Sequence, residues 1–128
     1  MDIQLLSEKT ISILRYSFGK KYHSAFEEFK SLLADQSAEN IQLIIRMIIT
    51  WLNDLQKHKL NIDHFFFKQH KETLEKFNSK FPAVELKDTV FRIDKLSSYI
   101  KNNINVNLLT ANIIFELSAL TIKPPVNA

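Results

Sequence analysis

A chain of 128 residues without cysteine is long enough to bury a core of its own as one domain, and it excludes disulfide frameworks, thiolate zinc sites and thiol catalysis. Its net charge of +3 is too modest for a large electrostatic footprint on nucleic acid. The single glycine, Gly19, excludes phosphate-cradling loops of the GxxxxGK type and dinucleotide fingerprints, both of which need more than one.

With glycine at one position and proline only at Pro82, Pro124 and Pro125, the chain is expected to form long helices. Ile3, Leu6, Ile13 and Leu14 place a first helix over 3–17, which is expected to stop near Gly19, where a missing Cβ suits a left-handed cap. Tyr22, Ala25, Phe26, Phe29, Leu32 and Leu33 recur at steps of three and four, the mark of an amphipathic helix over 21–34. A break follows at 35–37, where Ser37 offers a cap to the next helix and Glu39 suits its dipole.

The third helix, 38–57, is the most apolar. Ile41, Ile45, Ile48, Leu52 and Leu55 make one stripe, and Ile44, Met47 and Trp51 an adjoining one. Gln42, Arg46, Thr50, Asn53 and Lys57 form the wet side. So wide a stripe predicts a helix packed on two sides at the centre of a bundle. Arg46 interrupts it, and Asn53 and Asp54 follow, so no run reaches the roughly 18 apolar residues of a membrane span. Asp2 and Gln4 directly after Met1 do not fit a signal peptide. The expectation is a soluble, untargeted, cytoplasmic chain.

Residues 58–64 read as a polar connection. A weaker helical pattern then runs over 65–78 through Phe66, Gln69, Leu74 and Phe77, ended by Phe81 and Pro82. Leu86, Val90, Ile93, Leu96 and Ile100 align a fifth helix over 84–102. The sixth, 108–121, sets Leu109, Ile113, Leu117 and Leu120 on one face and Leu108, Phe115, Ala119 and Ile122 on another. Between these two helices Asn103 and Asn105 tolerate left-handed backbone, and Asn107 is placed to cap the last helix. The fold class is all-α, a single bundle of five to six helices, with residues 1–122 ordered and 123–128 a frayed tail.

Charge is uneven along the chain: basic and acidic residues balance at 8 against 8 over 1–64, and stand at 9 against 6 over 65–128. Lys68, Lys71, Lys76 and Lys80 recur near helical spacing beside Phe66, Phe67 and Phe77, a combination that could contact nucleic-acid phosphates. Glu72 and Glu75 interleave with them, which favours a solvated face with salt pairs.

No catalytic residues, cofactor or metal ligands are assigned. His58, His64 and His70 are six apart and do not share a helix face, and neither HExxH nor Glu-x-x-His occurs. Ser7, Ser12, Ser24 and Ser31 lie within helices, without the strained turn that exposes a nucleophile. A small-molecule substrate is not expected.

The segments NIQLIIRMIITWLNDL at 40–55 and FRIDKLSSYIKNNINVNLLTANIIFELSAL at 91–120 resemble the C-terminal helical domain of bacterial DNA polymerase III clamp loader subunits, most nearly the delta prime subunit. Trp51, Leu52, Asn53, Asp54 and Leu55 match a Trp-Leu-Arg-Asp-Leu-like stretch, with Asn53 where arginine is usual. Asn105, Val106 and Asn107 match an Asn-x-Asn corner, and Leu108 and Leu109 replace the proline and basic residue that often follow it. The matched segments cover just over a third of the chain. The ATPase-like module that precedes this domain in family members is not among these residues, which implies a piece of a longer subunit or a shortened protein.

The resemblance implies a collar domain. It would join other loader subunits through homologous helical domains and so hold the ring that places the sliding clamp on primed DNA. Helices three and six carry more apolar surface than one hairpin needs, and a neighbouring subunit would cover it. Ile104, Leu108, Phe115 and Ile122 are the expected interface residues, and Trp51, Asp54, Asn105 and Asn107 the structural motif. Two other readings stand beside this one: a helical nucleic-acid-binding module using Lys68, Lys71, Lys76 and Lys80, and an adaptor bundle for a partner helix.

Overall fold

Six α-helices, with no strand among the described residues, make up the computed structural model, which describes residues 3–32, 38–81, 84–98 and 106–121. They are α1 (Ile3–Phe18), α2 (Tyr22–Leu32), α3 (Ala38–Lys59), α4 (Lys71–Lys80), α5 (Lys87–Ser97) and α6 (Val106–Ala119), with a single 3-10 turn at Lys68–His70 ahead of α4. The all-α expectation holds. Helices α1, α3, α5 and α6 touch in a closed ring, α2 lies along α1 and α6, and α4 covers α3.

The centre of the bundle is α3, as its two adjoining stripes require. Ile44, Ile45, Ile48, Trp51, Leu52 and Leu55 are all buried. Phe18 from α1 and Phe77 from α4 close on Trp51, each at 5.7 Å between ring centroids. The second stripe of α3 is therefore covered within the domain, and it is not surplus for a neighbour. Only Leu43 among its large apolar residues is exposed. On α1, Thr10 and Ser17 are buried among the apolar residues, and each hydroxyl donates to the carbonyl four residues back, Leu6 and Ile13, at 2.8 Å. That local bond satisfies a polar group no neighbour could reach.

Two helices end by the same device. After α1, the Lys21 amide donates to the Tyr16 carbonyl at 2.9 Å and the Lys20 amide to Ser17 at 3.2 Å. After α3, Ile62 donates to Lys57 at 2.9 Å and Asn61 to His58 at 3.1 Å. Each pair of bonds closes a Schellman motif, which needs one left-handed residue. That residue is Lys20 and Asn61, both at φ 62, and not Gly19. Lys20 adopts this costly conformation while its ammonium donates to the Ser118 carbonyl and, at 2.6 Å, to the Thr121 hydroxyl at the end of α6. Asn61 is exposed and lacks such a task, so Asn61→Gly, which relieves left-handed strain by more than the added entropy of glycine costs, is expected to raise stability by about 0.5 kcal/mol, read as a higher urea midpoint.

The connection before α4 departs from the helical reading of 65–78. Phe65 and Phe67 are buried and Phe66 is exposed, an alternation of period two. The cause lies on α3. Asp54, fully buried, accepts the Phe66 amide at 3.2 Å on Oδ1 and the Phe67 amide at 2.9 Å on Oδ2, and so holds a bend at Phe66 against the helix. A true helix begins only at Lys71, and it ends where Phe81, ahead of Pro82, leaves helical backbone.

Candidate subunit interface

Leu109, Ile113, Ile114 and Leu117 turn the inner side of α6 into the core. Leu108, Ala111, Phe115 and Ala119 recur at steps of three and four on its other side. Leu108 is 55% and Phe115 57% exposed. A helix apolar on both sides is expected only where both are eventually covered. Of the two surplus faces read from the sequence, this one remains bare.

Its surroundings extend the patch. Tyr22, at the start of α2, meets Phe115 edge to face at 5.8 Å and is itself 41% exposed, so it does not join the buried stripe of α2 as its spacing implied. On the other flank a groove of about 390 Å³ runs between α5 and α6, lined by Arg92, Lys95, Leu96, Asn112 and Phe115 among others. There the Arg92 guanidinium pairs with Glu116 at 2.7 Å and ties the two helices together. An apolar centre with a charged rim is the usual anatomy of a protein interface.

The expected interface and motif residues divide. Leu108 and Phe115 share this face, whereas Ile104, Ile122 and Asn105 lie outside the described residues. Asn107 falls in the first turn of α6, which begins at Val106, so it does not cap that helix. Trp51 and Asp54 are buried in the core. Sequence periodicity alone does not select Tyr22, because it shares a face of α2 with the buried Ala25 and Phe29; it is exposed as the first residue of the helix.

The four lysines do not form one ridge. At about 100° per residue, Lys76 and Lys80 share a side of α4 and Lys71 faces nearly the opposite way. Lys71 pairs with Asp63 at 3.3 Å, and Lys76 with Glu72 at 3.5 Å. Lys68, on the 3-10 turn, lines a separate depression with Gln4 and Phe66. Lys76 and Lys80 instead border a cleft with Arg15 of α1, a residue that the lysine spacing does not bring in. On α3, the Lys59 ammonium donates to the Val84 carbonyl at 2.7 Å, and partial burial pushes its pKa down against the opposing pull of Glu85.

Among the described residues no group of His, Cys, Asp or Glu could hold a metal ion, and no helix is long and apolar enough to cross a membrane. Residues 10–119 match the family model described as DNA polymerase III, delta subunit, C terminal. No curated protein and no solved structure matches the chain.

Proposed function

The chain belongs to the family formed by the C-terminal domain of the DNA polymerase III delta subunit, and from that premise we propose that it is a non-catalytic collar domain joining clamp loader subunits in the cytoplasm. The reading takes it as delta-type, and not as the delta prime type that the resemblance favoured, because the matching family is the delta subunit's. One observation carries the joining role: the bare apolar face of α6, centred on Leu108 and Phe115 and flanked by Tyr22. The homologous helical domain of a neighbouring loader subunit would cover it.

Covering a Leu or Phe side chain contributes about 1.5–3 kcal/mol. Leu108→Asp with Phe115→Asp is therefore expected to weaken assembly by about 100-fold or more, at tenfold per 1.4 kcal/mol. Unfolding should change less than assembly, because both residues are more than half exposed. Light scattering on mixtures of the chain with candidate loader subunits reads the assembly directly. A chain that stays alone with every subunit at every concentration sinks the proposal and favours an adaptor bundle.

Nucleic-acid binding is separated from this reading by salt and by charge. An apolar joint is expected to hold as salt rises, whereas phosphate contacts weaken steeply. Lys71→Glu with Lys76→Glu is expected to leave assembly intact; loss of the complex in that variant counts against the α6 face.

A further inference from the structure

The cleft of about 560 Å³ between α1 and α4 shares no lining residue with the α6 groove among the described residues. Its floor is aromatic. The rings of Phe18, Trp51 and Phe77 are in mutual contact, with Phe18 and Phe77 at 4.7 Å. Its rim is cationic: Arg15, Lys76 and Lys80 border it, and among the described residues no carboxylate does. Arg15 donates to the neutral Thr73 hydroxyl at 2.9 Å, which leaves its charge uncompensated. Lys76 meets Glu72 only as a water-exposed pair, which solvent and salt largely screen. The buried indole N–H of Trp51 has no partner.

A nucleobase would need an open ring face to stack on. Trp51 and Phe77 are 1% and 7% exposed, so they form the base of a socket and not a stacking platform. A volume within the range of roughly 300–1,000 Å³ that ligand pockets occupy accepts an apolar side chain, and the uncompensated rim selects acidic groups beside it. We propose that this cleft binds an acidic peptide segment of a partner protein, with one Phe or Leu side chain on the Phe18–Trp51–Phe77 floor and flanking carboxylates against Arg15, Lys76 and Lys80. The site is distinct from the subunit joint, so either can fail without the other.

The test titrates the chain into a fluorescein-labelled acidic peptide carrying one phenylalanine, followed by anisotropy. Trp51 is the only tryptophan, so its emission reports occupancy of the floor. Saturable binding with a shift in Trp51 emission is expected. Lys76→Glu with Lys80→Glu, both exposed on α4, should weaken binding at least about tenfold with an unchanged circular-dichroism melt. Replacing the peptide's phenylalanine by alanine should weaken it similarly. The proposal is overturned by absence of saturable binding, by affinity indifferent to the charge reversal or to the alanine peptide, or by an oligothymidylate that displaces the peptide at lower concentration than unlabelled peptide does. That last result would assign the cleft to nucleic acid.

Discussion

Asp54→Ala is expected to lower the unfolding free energy by about 3–5 kcal/mol, a large share of the roughly 5–15 kcal/mol that holds a domain together. The carboxylate is fully buried and accepts the amides of both Phe66 and Phe67, and hydrogen bonds to a charged acceptor contribute about 1.5–3 kcal/mol each. Truncation leaves the Phe67 amide, which is buried, without a partner; the Phe66 amide is only partly buried and can turn to water. The strip that carries Phe65 and Phe67 into the core then loses its anchor. Asp54→Asn keeps the shape and one carbonyl acceptor but presents an NH₂ to a second donor, so it should recover part of the loss and not all. Urea unfolding measures the difference, and hydrogen exchange at Phe67 localises it. A variant as stable as the wild type would show that the carboxylate does not hold the connection.

Trp51→Ala is expected to cost about 3–5 kcal/mol, because removing a large core aromatic forfeits its burial and leaves a cavity. The loss falls where α1, α3 and α4 meet, since Phe18 and Phe77 both rest on the indole. Trp51→Phe is expected to cost markedly less. It keeps an aromatic surface and deletes an N–H that has no acceptor in the core, and a buried unpaired donor is itself unfavourable by about 1–3 kcal/mol. If the phenylalanine variant unfolds as readily as the alanine variant, ring packing is not what Trp51 contributes.

The helix with the widest apolar surface was the most legible from sequence: both stripes of α3 are buried as their spacing demands, whereas of the pattern read over 65–78 only Leu74 and Phe77 are buried and Phe66 and Gln69 are exposed. The bent strip at Phe65–Phe67 was not, because its form is dictated by Asp54, a residue more than ten positions away. Local spacing carries no trace of such a contact. The αL residue at the end of α1 was misplaced onto Gly19 for a related reason: Lys20 accepts that backbone while reaching across to α6. The α6 face was half legible. Leu108 and Phe115 follow from periodicity, whereas the cover of the second α3 stripe and the outward turn of Tyr22 depend on tertiary packing. Asn103, Asn105, Ile100 and the Ser37 cap lie outside the described residues. The lysine ridge failed because steps of three, five and four drift around a helix instead of following one side.

An α6 that is greasy on nearly every side has little intrinsic reason to prefer one roll about its own axis over another. What helps select the roll is a set of polar pins: Glu116 held by Arg92, the Ser118 carbonyl held by Lys20, and the Thr121 hydroxyl donating to the Phe18 carbonyl at 3.1 Å. Those pins add to the burial of Leu109, Ile113 and Leu117 in holding the roll that keeps Leu117 inwards and Phe115 out. The angular setting of the outer surface is therefore tied to polar latches on α5 and at the end of α1, so a change in either neighbour would alter which rings α6 shows to its surroundings.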